Sequence, residues 1–276
     1  PLVLNEYGND SILIGTLARG VWIMSKRNGE SRKLSVPGMT DGNIFAHAFM
    51  QVAENEWWIG TDTGIYVLRN GEFVQHFCFS ADDPMSISDD HVFAIMKDSK
   101  GGIWVGTEKG GVNYCPPTSD RIKLVYTGSR FPWLSGRHVT AIAEDKDGKI
   151  WVGTDDGGLC VMGDDYNIKL NLSSNRVTDL MFRGDNLWVA TYTGGLNVIN
   201  TLNGQIKYYK KTPEPGSLKN QEDLCLAQDK NGHVWVGSTT DVFWFDDDSQ
   251  IFTRLEGINS NVVDLVVDNQ NRLWMA

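Results

Sequence analysis

The chain has 276 residues, 41% of them hydrophobic and 22% charged, with a formal net charge of −10. That balance suits a chain with a real apolar core. It excludes nucleic acid and anionic membrane as general partners, because both require a basic face. No apolar run approaches the roughly 18 residues of a membrane-spanning helix, so direct insertion by a helix of this segment is not expected. The start, Pro1-Leu2-Val3-Leu4, has neither an initiator Met nor the basic opening of a signal peptide, as expected of a piece of a longer polypeptide. Cys78, Cys115, Cys160 and Cys225 are scattered without a CxxC pair. Cys160 and Cys225 fall within apolar runs and are expected as small core residues.

Taken in order, the predicted elements repeat. An apolar strand with a Gly-Thr step occurs at Ile12-Leu13-Ile14-Gly15-Thr16, Trp58-Ile59-Gly60-Thr61, Ile103-Trp104-Val105-Gly106-Thr107 and Ile150-Trp151-Val152-Gly153-Thr154. It returns with Ala190 for Gly at Leu187-Trp188-Val189-Ala190-Thr191, and with Ser238 for Thr at Val234-Trp235-Val236-Gly237-Ser238. A last copy, Leu273-Trp274-Met275-Ala276, is truncated. The Gly positions are spaced by 45, 46, 47, 37 and 47 residues, the period of a propeller blade of four short strands.

The unit from His138 serves as the pattern. Val139 to Ala143 is a short apolar strand, Asp145-Lys146-Asp147-Gly148 a tight hairpin turn, and Ile150 to Thr154 the second strand. Gly157-Gly158 leads into a third strand, Leu159 to Met162, and Ile168 to Leu172 is expected as the fourth. Strands apolar on both faces are expected where each sheet is sandwiched between others. No helical periodicity persists beyond a turn. The fold class is therefore all-β, a β-propeller of four-stranded antiparallel blades forming one domain over residues 1–276. Complete units start near 1, 44, 92, 139, 177 and 223, and a partial seventh covers 262–276. A seven-bladed ring leaves the last blade incomplete, whereas a six-bladed ring makes Val262 to Ala276 the start of something else. The seven-bladed reading is adopted.

Asp-x-x-Gly-x-[IVL]-Trp-[IV]-Gly-Thr followed by Gly-Gly-[LV], with Asp-Pro-x-Ser-[LI] junctions such as Asp83 to Ile87, resembles the two-component-regulator propeller repeat. Asp98 to Thr107, Asp145 to Thr154 and Asp229 to Ser238 carry the resemblance best. Leu13 for Trp, Ala190 for Gly and Thr240-Asp241 for Gly-Gly depart from it. The resemblance implies the periplasmic sensor half of a Bacteroides-type hybrid two-component system anchored in the inner membrane. It implies a glycan-derived oligosaccharide ligand, a neighbouring propeller and downstream domains as partners, and a histidine kinase outside this chain. It also allows a homodimer of the parent protein. The competing readings are an enzyme on a propeller scaffold, a lyase or glycan-active, and an intracellular protein-interaction scaffold.

Motifs for chemistry are missing. There is no G-x-S-x-G elbow, no H-E-x-x-H, no phosphate loop and no complete calcium loop, so neither enzyme activity, metal nor cofactor is expected of this domain. Acidic residues are spread over turns, and no pair is singled out for glycoside hydrolysis. The recurring Trp residues are expected to pack between blades, because stacking aromatics for a ligand would differ from copy to copy. Function is therefore sought where the copies disagree. The connection from Ser129 to His138 combines aromatic and basic residues, nominating Arg130, Trp133, Arg137 and His138. Tyr192, Arg176 and Arg19 are expected on the same face. The alternative for this loop is that Phe131 and Trp133 pin it against the ring or form a domain interface.

Overall fold

The computed structural model describes residues 2–36, 44–83, 85–117, 123–126, 134, 136–162, 172–222 and 224–276. The first blade contains β1 (Val3–Tyr7), β2 (Ser11–Gly15), β3 (Val21–Ser25) and β4 (Ser31–Lys33). The second contains β5 (Ala46–Ala53), β6 (Glu56–Thr61), β7 (Gly64–Arg69) and β8 (Glu72–Phe77). In the third are β9 (Val92–Lys97), β10 (Ile103–Thr107), β11 (Val112–Cys115) and β12 (Lys123–Tyr126). The fourth has β13 (Val139–Glu144), β14 (Ile150–Thr154) and β15 (Gly158–Met162). The fifth has β16 (Val177–Arg183), β17 (Asn186–Thr191), β18 (Leu196–Asn200) and β19 (Ile206–Tyr209). The sixth has β20 (Cys225–Gln228), β21 (Val234–Gly237), β22 (Val242–Asp246) and β23 (Ile251–Arg254), and the last β24 (Leu265–Val267) and β25 (Leu273–Met275). Each is an antiparallel meander in sequence order. The strand expected from Ile168 lies, apart from Leu172, outside the described residues.

Three local devices make these units repeat. In the first hairpin, the opening Asp organises the turn and holds the Trp. Asp145 Oδ1 accepts from Asp147 N and Lys149 N at 2.9 Å each, and its Oδ2 accepts from Trp151 Nε1 at 3.1 Å. Asp98, Asp229 and Asp268 bond Trp104, Trp235 and Trp274 in the same way. In the second hairpin, the Thr hydroxyl closes the turn from inside the core. Thr154 Oγ1 donates to Gly158 O at 3.0 Å and accepts from Gly157 N at 3.0 Å. Thr107 and Thr191 repeat both bonds. The third device is the Gly of the Gly-Thr step, which admits the next blade. A Cβ on Gly153 would lie 2.5 Å from Val177 Cγ1, and one on Gly106 would lie 2.4 Å from Val139 Cγ1. Thr154→Val keeps the shape but removes the hydroxyl that bonds the part-buried Gly157 amide and the Gly158 carbonyl, and should cost about 1 kcal/mol in urea unfolding.

The blades close into a ring through their first strands. β1 packs on β5, β5 on β9, β9 on β13, β13 on β16, β16 on β20, β20 on β24, and β24 returns to β1. Val262 to Ala276 therefore occupies a seventh ring position, with two strands in place, and the six-bladed reading falls away. Leu4 N donates to Asp264 Oδ2 at 2.6 Å across this last seam. Asn269 N donates to Glu6 Oε1 at 2.9 Å, and the Lys26 ammonium sits between Glu6 and Asp268 Oδ2, 3.7 Å from the latter. Side chains between blades form the core. Trp151 packs with Leu159, Val177, Leu180 and Leu187 across the seam of the fourth and fifth blades. Cys115, Cys160 and Cys225 are buried, while Cys78 is exposed.

Candidate functional site

One end of the ring carries the Asp hairpins, and the other carries the junctions between blades together with the turns after the Gly-Thr step. At this second end a backbone bond recurs. Asp62 N donates to Phe45 O, Glu108 N to His91 O, Asp155 N to His138 O, Tyr192 N to Arg176 O, and Thr239 N to Glu222 O. The bond holds the residue before each inner strand beside the residue after the Thr. The backbone is thus constant, and no two of these five blades present the same pair of side chains on it. That is the arrangement in which a repeat fold builds a specific surface.

On three adjacent blades, residues at this position and near the start of the inner strands form a continuous run of rings. Phe45 and His47 lie 6.5 Å apart between centroids, His47 stacks on Phe93 at 4.4 Å with 26° between planes, and Phe93 meets the His138 edge at 4.7 Å and 60°. All four side chains are partly exposed. Burial holds the His47 imidazole pKa below its usual value, against a raising effect of the nearby Asp62 carboxylate. His47 is therefore neutral at pH 7, with a hydrogen-bond donor and an acceptor on one ring. His138 Nε2 is buried with no hydrogen-bond partner among the described residues. A plate of partly exposed aromatic faces that includes the His47 imidazole suits a ligand with both apolar faces and hydroxyl edges.

The residues nominated from sequence divide as follows. His138 is part of the run. Arg176 is not free to fork onto an anion, because Nε and Nη2 grip Asp155 Oδ1 and Oδ2 at 2.8 and 3.2 Å. Its guanidinium also covers the Tyr192 ring at 3.9 Å, so these three form one positioned group beside His138. Arg137 is exposed, its backbone N held by Asp156 at 3.0 Å. Arg19 is exposed on the corresponding turn of the first blade. Arg130 and Trp133, with Phe131, lie outside the described residues. Sequence reasoning missed Phe45, His47 and Phe93. Their signal was available, since the place of His47 and Phe93 in the inner strand holds Thr140, Thr178 and Val263 in other copies.

The long junctions contribute core as well as surface. Ile87 and Leu218, at the end of the two similar junctions, are buried. Ser86 and Ser217 close both loops by bonding back to Ser80 and Thr212. On the same face, Asp89, His91 and Glu108 bring three potential metal-ligand atoms within 4.8 Å of one another. Lys109 Nζ lies 3.5 Å from Glu108 Oε2, and Lys109 N donates to Asp89 Oδ2 at 2.8 Å. These contacts make the group a surface ion-pair cluster rather than a prepared coordination shell.

Comparison with known proteins finds a family similarity over part of the chain. The model described as "Two component regulator propeller" matches residues 86–109, 134–156 and 223–240. No curated protein matches the chain at a significant level. Among solved structures, the extracellular domain of BT4673 of B. thetaiotaomicron, described as a hybrid two-component system, superposes with a TM-score of 0.75 at 17% identity. That match covers 99% of this chain and 36% of the other, so the chain spans about a third of its length. The extracellular domain of BT3049, similarly described and from the same organism, gives a TM-score of 0.55 at 17% identity over 99% of this chain and 50% of that one. The WD40 propeller domain of Doa1 gives 0.68 at 13% identity, covering 99% and 91%. At such identities the superpositions show the fold alone. The matched segments coincide with the Asp hairpin, Trp strand and Gly-Thr turn described above, and the chain is thus a propeller that is similar to the two-component-regulator repeat in those three segments.

Proposed function

We propose that this propeller is the extracytoplasmic sensor domain of a two-component system and binds a glycan-derived oligosaccharide at the junction face. The observation that carries the reading is the Phe45–His47–Phe93–His138 run, a plate of partly exposed aromatic faces that includes the His47 imidazole. Pyranose faces stack on aromatic rings while their hydroxyls take bonds from imidazole and from the Arg176–Asp155 group. The repeat type and the similarity to extracellular domains of B. thetaiotaomicron systems support the extracytoplasmic placement. In this reading the kinase, the periplasmic location and the inner-membrane anchor belong to the parent polypeptide. The ring of packed blades deforms little, so binding would be passed on by rigid-body movement against a neighbouring propeller or a second copy of the parent.

Isothermal calorimetry with oligosaccharides released from host and dietary glycans tests this. A binding fragment should lose about tenfold or more in affinity with His47→Ala or His138→Ala, equivalent to about 1.4 kcal/mol or more. Turnover of a bound fragment would instead establish the enzyme reading. Unchanged affinity in both variants would move the site away from this face.

A further inference from the structure

Carboxylates follow the junction-face rings from blade to blade. The position after the Gly-Thr step is Asp62, Glu108 and Asp155 in the second, third and fourth blades, the same three that carry the run of rings. Elsewhere it is Leu17, Tyr192 or Thr239. Asp62 Oδ1 accepts from the Phe45 amide at 3.2 Å, and its charge raises the His47 pKa against the effect of burial. In the next blade, Asp89 Oδ1 and Glu108 Oε2 lie 3.4 and 3.9 Å from His91 Nδ1, two residues before Phe93. Asp155 Oδ2 lies 4.0 Å from His138 Nδ1. All four of these acidic residues are partly exposed, so their field extends over the rings.

The described cations nearby leave this field largely in place. Arg176 neutralises Asp155, which it grips through two nitrogens. Lys109 Nζ lies 3.5 Å from Glu108 Oε2 on a side chain that is 74% exposed. Arg137 is exposed, and Asp156, whose carboxylate holds its amide, brings an opposite charge to the same place. Asp62 has no cationic partner among the described residues, and His47 beside it is neutral. Rings and carboxylates here favour one sign of charge. The face of an aromatic ring is the negative side of its quadrupole, so a cation over Phe45 or Phe93 is drawn by the ring and by Asp62 and Glu108 together. A carboxylate or sulfate in the same place is repelled by both.

We propose, resting on the oligosaccharide reading of this face, that the sugar unit on the plate carries a protonated amine, as an unacylated hexosamine does, and that uronates and sulfated sugars are turned away. Asp62 receives the ammonium while the pyranose covers the adjoining rings. Calorimetry at pH 7 with three disaccharides tests the charge: the glucosamine dimer, its N,N′-diacetylated form, and a hyaluronan disaccharide bearing glucuronate. The glucosamine dimer should bind about tenfold tighter than the diacetylated one. That advantage should shrink as salt is raised, because the pair is partly exposed. Asp62→Asn keeps the oxygen that accepts from the Phe45 amide and should remove most of the advantage, leaving affinity for the diacetylated dimer unchanged. Glu108→Gln should remove a smaller part. Equal affinity for the two dimers, or tightest binding of the hyaluronan disaccharide, overturns the charge assignment and leaves the sugar site standing. An advantage that survives intact in both variants overturns the role of these carboxylates. Binding of no oligosaccharide, the glucosamine dimer included, overturns the site itself.

Discussion

Replacing Trp151 with Ala should cost about 3–5 kcal/mol and abolish cooperative packing of the fourth blade against the fifth. Three observations set the magnitude. The side chain is 5% exposed and packs with Leu159, Val177, Leu180, Leu187 and Val189, residues drawn from two blades. Its ring meets Phe182 edge-on at 6.0 Å. Its N–H satisfies Asp145 Oδ2, the same carboxylate that shapes the hairpin, so the truncation also loosens that turn. Because each blade contacts only its neighbours, the loss should be local in hydrogen exchange, protecting the first and second blades nearly as before. Trp151→Phe should recover more than half the loss. Uniform loss of protection around the ring would show that the blades unfold as one unit rather than seam by seam.

The second large effect is a dependence of stability on pH that runs opposite to ordinary acid denaturation. Asp264 sits on the inner strand segment of the last ring position, where Oδ2 accepts from Leu4 N of the first blade and Oδ1 from Leu265 N at 2.8 Å. Asp179 does the same between the fifth and sixth blades, accepting from Leu226 N at 2.8 Å and Leu180 N at 2.7 Å. Burial raises the Asp264 pKa to about 7, and the charge of Asp179 adds to the rise. Burial alone raises that of Asp179 to about 6. A carboxyl whose folded pKa lies above its unfolded value of 3.8 binds more protons folded than unfolded between the two. Stability from it is fully present below pH 4 and is lost as pH rises through the folded value. At about 1.4 kcal/mol per unit, Asp264 should withdraw roughly 3–4 kcal/mol between pH 4 and 8.

Other groups act against this. His47, with its pKa lowered, contributes stability above pH 6.5 that is lost as pH falls. Asp229, Asp246 and Asp247, held low by their hydrogen bonds and, for Asp247, by Arg183, weaken the fold only when pH drops below the usual carboxylate range. The clean measurement is therefore a difference. Urea unfolding of the protein and of Asp264→Asn, at intervals from pH 4 to 8, should give a stability gap that shifts steadily in favour of the variant as pH rises. A gap independent of pH would remove the titration of Asp264 from the ring seam.

The chain's local chemistry was legible to a large degree. Asp145, Gly148, Trp151 and Thr154 recur because each answers a local demand: an oxygen for turn amides, a positive φ of 80°, a ring for the seam, a hydroxyl for the second turn. Repetition made those demands visible without coordinates, and so the strands, their order and the blade period could be read in advance. The role of the Gly before Thr was less visible, because the atom it makes room for, Val177 Cγ1 or its equivalent, belongs to the next blade.

The candidate sites followed the opposite logic. Disagreement among copies pointed to the junction face, where Arg176 and Tyr192 are engaged with Asp155 and each other, a pairing across blades that no linear spacing reveals. His47 and Phe93 are 46 positions apart and stack only because equal places on adjacent inner strands face one another.

Sequence alone was sufficient for what a single blade requires, since hairpin geometry, strand alternation and the Trp–Asp bond act within a few tens of residues. Ring closure and the coupling of Asp179 to Asp264 came only with the folded ring. Those features depend on which blades become neighbours, and on how much water their meeting excludes.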